Sequence, residues 1–191
     1  MGRILNAAII GLGVGEQHIT GFNSHPSCVV KKICDFNNEK INEVSKRFPN
    51  IKLENNPQNI FSDKDIDIVS IASYDNYHAE QVIASLQNKK HVFVEKPLCL
   101  HREEFNRIIK EIRSNPYLRV SSNLILRKTP RFEELRDRVL KNKLGETYLI
   151  ESSYDYGRIH KILDGWRGEI PFYSVTHGGG IHLIDLMMWI T

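Results

Sequence analysis

The sequence is short of every feature that would mark a specialised class of protein. Only three cysteines stand among 191 residues, at Cys28, Cys34 and Cys99, with no CxxC pair. They cannot all be bridged internally, and a reducing cytoplasm is the simplest setting. No apolar run approaches the ~20 residues that a membrane span requires. The opening Met1-Gly2-Arg3-Ile4-Leu5 lacks signal-peptide anatomy. Charge of one sign is scarce as well. The 26 Lys and Arg are balanced by 23 Asp and Glu, a net +3, and the bases lie scattered without a stripe. Neither nucleic acid nor a membrane is an expected partner. Repeats and low-complexity segments are missing too. What is left is an ordinary globular composition, 41% hydrophobic and 26% charged, long enough for one domain and part of another.

The positive signal is an alternation of buried strands and helices. Residues 4–10 form a continuous apolar run before Gly11, as expected of a strand covered on both faces. Strands are expected again at 29–34, 66–72, 91–94 and 118–121, with helices at 38–48, 76–87 and 103–114 between them. Asn37 or Asn38 caps the first of these helices. Strands separated by helical patterns of this length make βαβ units and an open parallel sheet. The fold class is therefore α/β: a doubly wound parallel Rossmann sheet over residues 1–122, followed by part of an α+β second domain over 123–191. In that second part an amphipathic helix is expected at 130–143, with Gly145 beyond it. A strand at 147–154, an irregular glycine-rich stretch at 157–180 and an apolar helix at 181–190 follow. Met187, Met188 and Trp189 read as a packed face of that last helix. A lone strand at 147–154 would leave both edges unpaired, so the second domain reads as incomplete and prone to self-association.

The glycine turn carries the first chemistry. Gly11-x-Gly13-x-Gly15 follows the first strand and opens a helix. Gly11 allows the tight turn, Gly13 lets backbone approach a diphosphate, and the helix start at Val14 and Gly15 offers N–H groups to that anion. The usual spacing puts a third glycine at position 16, where this chain has Glu16. Asp35 ends the second strand, where a carboxylate accepts hydrogen bonds from ribose hydroxyls and repels a 2′-phosphate. NAD is favoured over NADP.

Polar groups also cluster after later strands. Ser73-Tyr74-Asp75-Asn76-Tyr77-His78 follows the third expected strand, and Glu95-Lys96-Pro97 follows the fourth. A lysine at such an edge can polarise or deprotonate a hydroxyl, and a cis Lys96–Pro97 bond would suit a turn that aims it. Lys89 and Lys90 read as solvated loop lysines. His177 and His182 are not spaced i,i+4 and lack a third ligand, so no metal site is expected.

In this order, the glycine turn, Asp35, Ser73-x-Asp75-x-x-His78, Glu95-Lys96-Pro97 and Gly178-Gly179-Gly180-Ile181-His182 resemble the glucose-fructose oxidoreductase/inositol dehydrogenase (Gfo/Idh/MocA) family. The resemblance runs through essentially the whole chain, although members are longer. It implies a Rossmann domain joined to a second domain built on a large, mostly antiparallel sheet. It also implies NAD(P)-dependent oxidation of sugars, sugar nucleotides or cyclitols, and a homo-oligomer. By position, Lys96 would contact the reacting hydroxyl and His182 would exchange its proton. Glu95 and Pro97 would shape the lysine loop, Ser73, His78 and Glu95 would help bind the cofactor, and Asn123 matches a family asparagine. Trp166 and Arg167 could line a sugar site. Two departures stand out: Gly178 replaces a frequent Asp, and Tyr74 a usual proline. The expected activity is hydride transfer between nicotinamide and a carbinol carbon. The alternative is a dinucleotide-binding module without turnover.

Overall fold

The computed structural model describes residues 2–191 and divides into two compact units, 1–122 and 123–191. The first unit runs β1 (Leu5–Ile10), α1 (Gly15–Asn23), β2 (Cys28–Cys34), α2 (Asn38–Arg47), β3 (Lys52–Glu54), α3 (Gln58–Phe61) and β4 (Ile68–Ile71). It continues through α4 (His78–Gln87), β5 (His91–Val94), α5 (Arg102–Ser114) and β6 (Val120–Ser122). All six strands pair in parallel, in the order β3-β2-β1-β4-β5-β6. This is the doubly wound dinucleotide-binding order, whose switch point lies between β1 and β4.

The continuous apolar runs are explained by helices on both faces. On β1, Ala7 and Ile9 point into one core with Ile19, Ile33, Ile41 and Val44. Ala8 and Ile10 point into the other with Val69, Val82, Leu86, Val92 and Ile108. Alternate residues thus serve opposite layers, and neither face of the strand can be polar.

Some boundaries differ from the sequence reading for local reasons. β4 begins at Ile68 because the Ile66 N–H turns back to the Asp63 carbonyl at 3.3 Å. β6 begins at Val120 because the Leu118 N–H closes a turn on Asn115 at 3.0 Å. The edge strand β3 and the short α3 were not expected, since three and four residues carry too little periodicity to register. Asn37 caps α2, its side chain accepting from the Lys40 N–H.

One assignment of solvated lysines is corrected. Lys89 is exposed, with φ 62° and its Nζ on Asn115 Oδ1 at 2.6 Å. Lys90, however, is only 5% exposed. Its ammonium donates to the carbonyls of Ile66, at 2.7 Å, and Asp63. Burial pushes its pKa below the usual lysine range. A second buried lysine, Lys32, bridges Glu54 at 2.9 Å and Asp63 at 2.8 Å, tying β2, β3 and the segment after α3 together.

The second unit holds α6 (Pro130–Leu140), α7 (His160–Leu163) and α8 (Ile181–Ile190), with a π-helical turn at Thr176–Gly180 leading into α8. α6 stops at Leu140, and turns carry the chain to Gly145 at φ 75°. Arg127 forms a two-pronged ion pair with Asp185, and Arg136 donates to the Trp189 carbonyl at 2.8 Å over that residue's ring. These contacts fasten α8 to α6 and to the turn that precedes α6. Two expectations fail here. Residues 147–154 pair with no strand and are almost wholly exposed, because every strand among the described residues belongs to the first unit. Met188 is 76% exposed, so the buried face of α8 is carried by Leu186 and Ile190.

Candidate functional site

The candidate site is built at the carboxyl ends of β1, β2, β4 and β5, beside the switch point. Gly11 leaves β1 at φ 86°, a conformation that favours glycine. A Cβ there would lie 2.3 Å from the Ala72 carbonyl oxygen, so the turn is pressed against the end of β4. At Gly13 a Cβ would meet nothing within 4 Å. The chain is open on that side, as close approach of a ligand to backbone requires. Gly15 sits against Ile9 and Ala72, where a Cβ would come within 3.0 Å of both side chains. It performs the helix-to-strand packing of a third glycine from one position earlier. The exposed Val14 precedes α1, and no side chain caps the helix start.

Asp35 stands beside this turn. Its carboxylate accepts from the Leu12 N–H at 2.6 Å and from the Asn37 N–H at 2.9 Å, and it is 9% exposed. It fixes the glycine turn to the end of β2 while lone pairs on both oxygens stay uncommitted by these bonds. Lys40, the nearest base in the following helix, is engaged by Glu16 at 3.3 Å and Glu43 at 3.2 Å, and Arg47 also pairs with Glu16. These carboxylates raise the Lys40 pKa.

Sequence reasoning missed an aromatic wall next to Asp35. Phe36 is 70% exposed and meets Tyr74 edge-on at 5.4 Å, and Tyr74 stacks with Tyr77 at 6.4 Å. The signal was an aromatic directly after the strand-end acid and two more in the loop after β4. Such a wall offers a flat apolar surface to a planar base or ring.

The polar loops after β4 and β5 are bound to each other. The Glu95 N–H donates to the Ile71 carbonyl at 2.8 Å, and the Lys96–Pro97 peptide is cis. His78 is fully buried, with Nδ1 2.7 Å from the Pro97 carbonyl and Nε2 3.1 Å from the Ser73 carbonyl. The Ser73 hydroxyl donates to Gln81 Oε1 at 2.7 Å. His78 therefore braces two loops, and it shapes a ligand's surroundings without presenting a ring nitrogen to it. Cys34 and Cys99 are not nucleophiles. Burial pushes their thiols up to about 12 and about 11, so both stay protonated at neutral pH.

Gly11, Gly13, Val14, Gly15, Asp35, Ser73, His78, Glu95 and Lys96 thus all belong to the first unit and gather at one edge of its sheet. His182 belongs to the second unit, at the second position of α8, half-buried. In the same unit Arg167 lies over Trp166 at 4.2 Å and donates to the Tyr173 hydroxyl at 2.9 Å, and Tyr173 meets the His177 ring at 5.6 Å. No group of three or more metal-ligating side chains occurs among the described residues, and no helix there is long and apolar enough to cross a membrane.

A nicotinamide dinucleotide fits these residues. The open face at Gly13 and the uncapped α1 suit its diphosphate, and Asp35 suits a ribose.

Comparison with known proteins agrees. Residues 5–122 match a family profile described as "Oxidoreductase family, NAD-binding Rossmann fold". Myo-inositol 2-dehydrogenase of Thermotoga maritima is 26% identical over 76% of this chain and 44% of its own length. Inositol 2-dehydrogenase of Salmonella paratyphi B is 24% identical over 97% of this chain and 54% of its own. Scyllo-inositol dehydrogenase of Lactobacillus casei superposes with a TM-score of 0.87 at 21% identity, over 99% of this chain and 55% of that one. The same enzyme solved with NAD(H) and scyllo-inositol gives 0.84 at 20% identity, over 99% of this chain and 56% of that one. The chain spans about half the length of the curated relatives it matches.

Proposed function

The chain belongs to the Gfo/Idh/MocA oxidoreductase family, and from that premise we propose that it serves NAD-dependent oxidation of a carbinol in a cyclitol or related sugar-type substrate. One observation carries the reading. An open glycine turn and an uncapped helix start lie within hydrogen-bond reach of a strand-end carboxylate, through Leu12 N–H and Asp35 at 2.6 Å. The cyclitol class is supported by the names of the relatives, inositol dehydrogenases among them.

In this reading backbone N–H groups at 13–15 hold the diphosphate and Asp35 holds the adenosine ribose. The Phe36–Tyr74 wall gives the base a surface to lie on. When bound, the nicotinamide supplies the acceptor for the carbinol hydride. Lys96 donates a hydrogen bond to the reacting hydroxyl oxygen and stabilises negative charge there. A ring nitrogen of His182 takes the hydroxyl proton, a role suited to an imidazole whose ordinary pKa is near neutral.

Fluorescence titration with NADH and NADPH tests the cofactor assignment. Tighter binding of NADPH would overturn the choice of NAD. Oxidation of myo- and scyllo-inositol with NAD, followed as NADH absorbance, tests the activity, and Lys96→Ala should abolish it. The alternative, a dinucleotide-binding module without turnover, would show as NADH binding with no oxidation of either inositol.

A further inference from the structure

Lys96 lies between two residues that are each held by an imidazole. On its far side the Pro97 carbonyl lies 2.7 Å from Nδ1 of His78. On its near side Glu95 Oε1 lies 3.1 Å from Nε2 of His18, and Nδ1 of that ring meets the Ser70 hydroxyl at 2.9 Å. A carboxylate can only accept, so His18 carries a proton on Nε2 toward Glu95, and Nδ1 shares a hydrogen bond with the Ser70 hydroxyl. Both ring nitrogens are then satisfied. Phe93 packs edge-on against it at 5.4 Å, which fixes its plane.

The line Ser70–His18–Glu95 has the residue types of a hydrolase triad but not its access. Ser70 is fully buried within β4, so no substrate reaches its hydroxyl. What the line does is mechanical. His18 lies on α1, the helix that opens at the glycine turn, and it pairs with the carboxylate of the residue before Lys96. One imidazole therefore ties the anion-binding helix to the lysine loop.

We propose that His18 is a positioning residue for Lys96, acting through Glu95. The inference rests on the reading of Lys96 as the group that meets the reacting hydroxyl. A displacement of about 1 Å at such a group is costly to catalysis.

The two amide replacements of His18 separate this role from simple packing. Glutamine reaches the place of Nε2 and can donate to Glu95. Asparagine reaches only the place of Nδ1, toward Ser70. The readout is the rate of Lys96 acetylation by acetic anhydride as a function of pH, measured by mass spectrometry on the cofactor-free full chain. His18→Asn should change that profile by about three-fold or more, and His18→Gln should return it to the wild-type value. Glu95→Ala breaks the same link from the other side, so the double variant with His18→Asn should be no worse than either single one. A wild-type profile in His18→Asn, equal changes in the two amide variants, or additive effects in the double variant would each overturn the proposal. Should circular dichroism show that His18→Asn does not fold, the comparison of His18→Gln with Glu95→Ala decides. A changed Gln profile, or an unchanged Glu95→Ala profile, then sinks the idea. The labelling needs neither nucleotide nor turnover. NADH titration of the same wild-type sample tests the dinucleotide reading separately, and failure there would leave the labelling result standing.

Discussion

At the residue scale, Asp35 has two employers, the fold and the ligand. Its oxygens receive the Leu12 and Asn37 N–H groups, so replacing it disturbs the glycine turn before any nucleotide arrives. Asp35→Asn keeps one carbonyl acceptor and turns an NH2 group toward one of those donors. Thermal unfolding should register a loss of about 1–3 kcal/mol. NADH affinity should fall by roughly ten-fold, with the preference over NADPH narrowed, since the charge that repels a 2′-phosphate is gone. Unchanged discrimination would show that selectivity resides elsewhere.

Lys32 makes a different residue-scale case, because its two partners pull against acid. Hydrogen bonds from Lys32 hold the Glu54 and Asp63 carboxyls below their ordinary pKa values. A depressed carboxylate contributes stability that is whole above the unfolded value, about 4, and disappears as pH falls through the folded one. The acid arm of a melting-temperature profile should therefore drop below about pH 4. Lys32→Met should cost about 2 kcal/mol at neutral pH, since it strands two half-sheltered carboxylates, and should flatten that acid drop. An equally steep acid arm in the variant would place the titrating groups elsewhere.

At the element scale, what could be read from sequence depended on length and burial. β1, β5 and α8 were legible because apolar residues dominate them and their ends are punctuated by glycine, by Glu95-Lys96-Pro97 or by three glycines. β3 was not, since a three-residue edge strand with two exposed members has no pattern to display. Residues 147–154 show the converse: β-branched and aromatic composition with no partner strand among the described residues. The glycine turn and Asp35 were visible as motif, whereas the His18–Glu95 link and the Phe36–Tyr74 wall depend on residues brought together only by the fold. A capping box shows how one side chain sets an element's start. Glu104 accepts from the N–H groups of Leu100 and His101 at the head of α5, at 2.8 and 3.1 Å. Glu104→Ala should lower stability by about 1 kcal/mol in a urea titration, with the slope unchanged.

At the scale of the molecule, the two units differ in how much of their backbone is committed. The first closes every strand into one sheet with two apolar cores. The second contains, from residue 145 to 156, a stretch with neither helix nor ladder. Limited trypsin digestion should cut first near Lys143 or Arg158 and leave a resistant fragment containing residues 1–122. First cleavage inside that fragment would contradict the contrast between the units.

Because every strand of the first sheet points the same way, its two rims have separate trades. The ligand-facing rim ends at Gly11, Asp35 and Glu95. The other begins at Leu5, about 20 Å away along β1, and is clamped by the Arg3–Asp67 pair at 2.6 Å. A probe attached at Arg3 would therefore sit on the rear rim of the first unit, the length of β1 away from its glycine turn.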